Sequence, residues 1–491
     1  MTFNSLQFLI FFPIVAVIHF ILPYRWRWLW LLLASCYFYM VFIPPYILIL
    51  FFLILVDYTA ALMIERTSGK KRKMFLLLSI LATCSVLFIF KYFDFFNNTL
   101  KFLTHFWGGH YSLENGLGLI LPLGLSFHTF QSLNYVIEVY RGNQKAERHL
   151  GIYALYVMFF PQLVSGPIER ARHLLPQFYE RHDFDYQRIT DGLKLMLWGM
   201  FQKVVIADRL ALVVNQVYNN AHGYTGLSLV VATVFFAFQI YCDFSGYSDI
   251  AVGGAQVLGF RLIQNFNRPY FATSISEFWK RWHISLSTWF RDYVYIPLGG
   301  NRVPLPRWQI NILITFILSG LWHGSNWTFI LWGAVHGFYY LFSFWTRSLR
   351  KTVAGALRVS RLPAMEHSVK VLITFTLVCF AWIFFRANNI HDAGYVISNL
   401  FTGWHGPLIF QPEKAGFIGL KKPEFILAVF LIIFLLVVHL WQSRLSESQC
   451  SVRSWLSGQP LWVRWGTYLA MTLIIMNLGI MAQIPFIYFQ F

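Results

Sequence analysis

Apolar runs of about twenty residues follow one another along almost the whole chain, and a run of that length is what a bilayer-crossing helix needs. Water is absent at membrane depth, so backbone polar groups there must be satisfied internally and helices become the only open-chain solution. Candidate spans lie at 3–22, 28–43, 45–64, 74–93, 117–139, 191–218, 226–248, 368–385, 424–441 and 466–485. The stretches 151–164 and 310–346 are also apolar, but Gly and Pro interrupt or flank them. They read as re-entrant or broken helices, which must be buried in protein or line a cavity. The opening run, Phe3 to Leu22, lacks the basic n-region and small-residue cleavage site of a signal peptide and reads as a retained first span.

Composition agrees. Hydrophobic residues make up 57% of the 491 and charged ones only 12%, against about a quarter charged in soluble domains. The polar stretches near 94–116, 265–309 and 387–423 are too short to bury cores of their own. Residues 1–491 therefore read as one membrane-embedded domain, all-α and polytopic. None of the five cysteines, Cys36, Cys84, Cys242, Cys379 and Cys450, forms a C-x-x-C pair. They read as inert thiols.

The formal charge of +18 would suggest nucleic acid in a soluble chain. Here the cations sit in short clusters between apolar runs, with no basic stripe interleaved with stacking aromatics. The clusters are Arg66 with Lys70–Lys73, Arg141–Arg148, Arg170–Arg188, Arg347–Arg361 and Arg444–Arg464. Excess Lys and Arg belong on the cytoplasmic side. Counting spans from these anchors places both termini outside the cytoplasm.

Two stretches carry chemistry. In Phe278 to Tyr293, the residues Trp279, Trp282, Leu286, Trp289 and Tyr293 recur at helical spacing, which predicts one amphipathic helix. Its bland role is an interfacial helix with snorkelling cations. Its sharper role is to offer Lys280, Arg281 and Arg291, beside Trp282, to the phosphates of a cytoplasmic donor such as a coenzyme thioester. In the second stretch His323 lies between Gly320 and Gly324 inside a long apolar hairpin. An ionisable group at membrane depth is costly and usually functional, and a neutral imidazole there can take a proton from an attacking hydroxyl. The bland alternative is a core histidine bonded to a backbone carbonyl. His336 lies thirteen residues further on and reads as a packing or supporting group. That spacing, with no H-E-x-x-H and no carboxylate cluster, speaks against a metal at these histidines. No G-x-S-x-G elbow is present. Asp243 and Asp249, at the end of an apolar run, read as partners of nearby Arg or as helix caps, with a proton relay as the lesser alternative.

These residues resemble those of the membrane-bound O-acyltransferases, and more closely the alginate O-acetyltransferase branch. The resemblance rests on Pro122 to Ser132, Phe159 to Ile168, Tyr241 to Asp249, Phe278 to Tyr293 with Ile296 to Arg302, Ser319 to His323, Phe384 to Ala387 and Phe486 to Phe491. The core motifs thus fall within 120–340, with an aromatic motif at 486–491, and together they cover most of the chain. His128 departs from the Tyr of many relatives.

The resemblance implies a ring of about ten to eleven tilted helices around a thin central tunnel. It implies His323 as the essential histidine, His283 as the second family histidine and Tyr488 as an acyl relay. For Tyr488 the residues alone equally allow an aromatic interfacial anchor. The implied task is acetyl transfer from cytoplasmic acetyl-CoA, as donor substrate, toward an extracytoplasmic polysaccharide such as alginate, cellulose or peptidoglycan. It further implies a partner of the SGNH, serine-esterase-like type and a place in the bacterial inner membrane. Three alternatives stand beside it. They are transfer of another acyl group such as D-alanyl, movement of a lipid-linked sugar without chemistry, and a purely structural role in an envelope complex.

Overall fold

The structure is a computed structural model that describes residues 1–108, 116–164, 166–356, 363–403, 410–411, 416–447, 451–480 and 485–489. Ser165, Arg358, Arg361, Cys450, Gln490 and Phe491 lie outside the described residues.

The described residues are overwhelmingly helical. Among the described residues, five helical stretches are long and apolar enough to cross a membrane: Pro44–Arg66, Gly69–Phe106, Leu227–Leu258, Pro363–Arg386 and Lys422–Leu445. Leu6–Ile21 is apolar but shorter. Large apolar side chains such as Leu6, Leu48, Phe430 and Trp462 stand exposed on these helices and on Leu461–Leu478, as contact with lipid requires. Three two-residue strands, Phe410–Gln411, Gly416–Phe417 and Leu420–Lys421, pair antiparallel just before the Lys422–Glu447 helix. The apolar spacing did not foretell them.

Two local expectations change. The span expected at 117–139 becomes helical only at Leu125, because Pro122 and left-handed Gly124 (φ 72°) precede it. The stretch 310–346 is interrupted only at 324–326. It forms two uninterrupted 19-residue helices, Leu305–His323 and Trp327–Trp345, each about 28 Å long at about 1.5 Å per residue. Their glycines serve close packing instead. A Cβ on Gly320 would lie 2.2 Å from the Phe329 carbonyl oxygen, and one on Gly333 would lie 2.3 Å from that of Phe316. Small residues that let two helix backbones touch are the usual glue of membrane bundles.

The stretch 151–164 is broken as expected, into Leu150–Met158 and Phe160–Leu163. Side-chain amides and a hydroxyl satisfy the interrupted backbone. Gln131 and Gln162 both donate from Nε2 to the Tyr156 carbonyl, at 2.6 and 2.7 Å. Asn134 Nδ2 donates to Glu169 O at 3.0 Å, and Phe160 N donates to Ser35 Oγ at 3.0 Å. This explains Gln131 of the Pro122–Ser132 motif and Gln162 of the Phe159–Ile168 motif.

The chain divides into two compact units, Met1–Leu193 with Ile250–Ile263, and Lys194–Asp249 with Gln264–Phe491. The first holds the broken segment and a buried Asp57 that accepts from Ser79 Oγ at 2.5 Å. The second holds both hairpin helices, His283, His323 and the C-terminal segment.

Because the atoms facing Gly333 are backbone, Gly333→Ala should destabilise by about 1–3 kcal/mol, the usual penalty of overpacking. Gly394→Ala, where a Cβ meets nothing within 4 Å, should leave the melting midpoint equal or higher. Thermal unfolding of the two variants in detergent, side by side, checks this.

Candidate active site

His323 is the last residue of its helix, immediately before the turn at 324–326. That turn is pinned on both sides. Asn326 caps the next helix by accepting from Thr328 N at 3.1 Å, while its Nδ2 donates to Asn388 O at 3.0 Å. A Cβ on Gly324 would lie 2.1 Å from the Phe329 ring. His323 is 3% exposed, and aromatic rings enclose it. Centroid distances are 4.8 Å to Trp322, 5.0 Å to Trp332, 5.2 Å to Phe385 and 5.4 Å to Tyr488. His323 and Tyr488, which the resemblance marks in two separate motifs, thus lie side by side.

The C-terminal segment reaches His323 because a buried charge holds it. Asp243 accepts from Ile487 N at 2.8 Å through Oδ2. Its Oδ1 pairs with Lys203 Nζ at 2.7 Å, and Lys203 also pairs with Asp208 at 2.8 Å. All three charged side chains are at most 4% exposed. Two carboxylates around one ammonium leave negative charge that the peptide N–H of Ile487 helps to balance. Phe486 is fully buried against Tyr247 (4.5 Å) and Phe244 (5.8 Å). Tyr488 follows, 4.8 Å from Phe244, and its buried hydroxyl has no hydrogen-bond partner among the described residues. Unsatisfied buried hydroxyls are rare and call for a reason.

This corrects the reading of Asp243 as an Arg partner or cap. Asp243 and Asp249 both sit inside the Leu227–Leu258 helix. Asp243 pairs with Lys203, and Asp249 accepts from Gln202 Nε2 at 2.8 Å. Lys203 lies in a π-helical stretch, Phe201–Ala207, where the wider turn shifts the register of side chains. A lysine within an apolar run was a legible signal of a paired charge, and sequence reading passed over it.

The tryptophan-rich stretch is not one helix. It forms Ile275–Arg281 and Ile284–Phe290, separated by Trp282 and by His283 in the left-handed region (φ 41°). Asn265, also missed from sequence, causes the break. Its backbone carbonyl accepts from Ile284 N at 2.9 Å. Its Oδ1 lies 3.2 Å from His283 Nδ1 and accepts from Ser285 Oγ at 2.8 Å. These bonds compete with helix continuation and win. His283 is fully buried, 4.6 Å from Phe244 and 6.1 Å from Trp322. It therefore shares two ring neighbours with Tyr488, whose centroid is 6.5 Å from that of Trp322.

The other predicted residues are spread around this centre. Lys280 is exposed. Arg281 is ion-paired with Glu277 at 2.5 Å, and Arg291 with Asp292 at 2.8 Å. Trp282 is enclosed by Phe266, Phe278 and Trp382, so it packs the floor of the site. Trp332 stands 5.0 Å from both His323 and His336, a supporting place for His336. Arg386 donates to Asn215 and Asn219 Oδ1 at 2.8 and 2.9 Å, which anchors the Phe384–Ala387 motif beside Phe385. Four cysteines, Cys36, Cys84, Cys242 and Cys379, are free.

Comparison with known proteins settles the family. Residues 149–365 match the pattern of "MBOAT, membrane-bound O-acyltransferase family". The protein named "Probable alginate O-acetylase AlgI" of Pseudomonas putida is 34% identical, with all of both chains covered. The peptidoglycan O-acetyltransferase of Helicobacter pylori is 34% identical over 79% of this chain and 76% of its own. The chain belongs to the membrane-bound O-acyltransferase family. It is a multi-pass membrane acyltransferase, as its motifs imply. A teichoic acid D-alanyltransferase of Bacillus subtilis is 29% identical over 42% of this chain and 54% of its own.

Asp243→Ala in this acyltransferase should cost about 3–5 kcal/mol, because it leaves Lys203 buried with one partner fewer. It should also release Ile487. Hydrogen exchange at residues 485–489 should speed up selectively. Unchanged protection there would rule out the clamp.

Proposed function

We propose that the chain moves an acetyl group from cytoplasmic acetyl-CoA, through Tyr488, toward an extracytoplasmic polysaccharide. One observation carries the reading: the Tyr488 hydroxyl is buried with no hydrogen-bond partner among the described residues, and its ring lies against the His323 ring. His323 takes the phenolic proton as Tyr488 Oη attacks the thioester carbonyl. The tetrahedral intermediate expels coenzyme A thiolate, and the imidazolium returns the proton to its sulfur. The product is an acetyl ester on Tyr488. A sugar hydroxyl, or the serine of an SGNH-type partner, then takes the acetyl group and restores the phenol. The aromatic wall keeps bulk water from the ester.

His283 orients Trp322 and Phe244 around the tyrosine. Lys280, with Arg281 and Arg291 freed from their carboxylates, meets the phosphates of the donor. The reading has these residues on the cytoplasmic side of a bacterial inner membrane and both termini outside, and the basic clusters between apolar runs support it. Acetyl is favoured over D-alanyl because the alginate and peptidoglycan acetylating relatives match far more of the chain than the D-alanyl one does.

His323→Ala should lower transfer from radiolabelled acetyl-CoA in membrane vesicles by about 10²–10⁴-fold, the usual worth of a general base. Tyr488→Phe should abolish it while leaving the protein folded. Mass spectrometry should find acetyl on Tyr488 when no acceptor is supplied. Transfer by Tyr488→Phe at the wild-type rate would refute the relay, and a requirement for a charged carrier protein would replace acetyl with another acyl group.

A further inference from the structure

Away from these rings, the second unit carries a cluster that acyl transfer does not use. His222 lies in the one-turn segment Ala221–Gly223, between the Asp208–Tyr218 and Leu227–Leu258 helices. His391 and Asp392 begin the Ile390–Asn399 helix. One ligand atom from each of the three lies within 4.8 Å of the others. The imidazoles of His222 and His391 stack with centroids 5.1 Å apart. His222 Nε2 stands 3.4 Å from Asp392 Oδ1. Ligand atoms in a tetrahedral zinc site are about 3.3 Å apart when each bond is about 2.0–2.1 Å, so this pair already has the required spacing. His391 is exposed, and its ring stacks on that of His222 at the same edge.

The surroundings point the same way. Asp392 Oδ2 accepts from Asn389 Nδ2 at 3.0 Å, and Asp392 N donates to Asn389 Oδ1 at 2.8 Å. This turns Oδ1 toward His222 and is the kind of outer-shell bond that orients a ligating carboxylate. The His222 segment is itself held. Its ring packs 4.2 Å from the Tyr395 ring, and Tyr395 Oη donates to the His222 carbonyl at 3.2 Å. Gly226 N donates to Asn399 O at 2.9 Å across the same two segments. A surface ion pair needs one histidine; two stacked imidazoles with an oriented carboxylate make a three-ligand set.

We propose that His222, His391 and Asp392 bind one divalent transition-metal ion, zinc by preference. Two imidazoles and one carboxylate suit a borderline metal rather than calcium or magnesium, which favour oxygen ligands. Three protein ligands leave a fourth position for water or for an outside ligand. The metal clips the turn after the Asp208–Tyr218 helix to the start of the Ile390–Asn399 helix, two segments remote in sequence.

The test uses the full chain in detergent, stripped with a chelator and titrated with zinc against a chromogenic competitor. Wild type should bind one zinc per chain and gain melting temperature with zinc. His222→Ala and His391→Ala should each weaken binding at least tenfold and lose the thermal gain. Asp392→Asn, which keeps the contacts to Asn389, should do the same. Asn389→Ala should weaken binding about tenfold, as loss of an orienting outer bond does. All variants should elute like wild type without zinc, since these side chains are at the surface. Less than stoichiometric binding by wild type, or unchanged binding in the two histidine variants, would overturn the site and leave a plain His222–Asp392 ion pair.

Discussion

Lys203, held between Asp208 and Asp243, is the interaction on which the centre of the second unit depends. Burying an ammonium and two carboxylates at membrane depth is tolerable only with close pairing and further hydrogen bonds. The π-helical stretch at Phe201–Ala207 carries the lysine, and the middle of the Leu227–Leu258 helix supplies Asp243. The remaining oxygen of Asp243 is satisfied by the N–H of Ile487. Segment 485–489 is thereby a component of the buried charge network, and Phe486 and Tyr488 are drawn in with it.

Around that anchor the packing is aromatic. Trp322, Trp332 and Phe385 meet the His323 ring, and Trp382 backs both Trp332 and Phe385. Flat rings at 5–6 Å spacing fill the space and exclude water without adding charge. The glycines at 320 and 333 bring the hairpin helices together, so that Trp332 on the second helix reaches His323 at the end of the first. Asn265 performs the corresponding task for His283, replacing a helical turn with side-chain bonds that set the ring's direction. The Tyr488 hydroxyl, buried and without a hydrogen-bond partner among the described residues, lies beside these rings.

Much of this was legible in the chain. Long apolar runs announced helices, because lipid leaves the backbone no other economical way to pair its polar groups. The break at 151–164 was legible from its Gly and Pro, and His323 from its lone titratable group among apolar neighbours. Elsewhere local pattern misled. The spacing of Trp279, Trp282, Leu286, Trp289 and Tyr293 describes one helix face, yet bonds from Asn265 divide it. The glycines near His323 suggested a broken helix, although what they permit is contact between two whole ones.

The sequence by itself determined the membrane class, the helical secondary structure and the family, and it singled out His323 by its placement. Each follows from local composition or from an ordered set of motifs, which need no knowledge of what packs on what. Only the tertiary structure decided that Lys203 pairs with Asp243, that Asp243 captures Ile487, and that Tyr488 lies against His323. Those partners are far apart in the chain. Periodicity along one segment carries no record of them, because their pairing is set by which buried charges and N–H groups would otherwise remain unsatisfied.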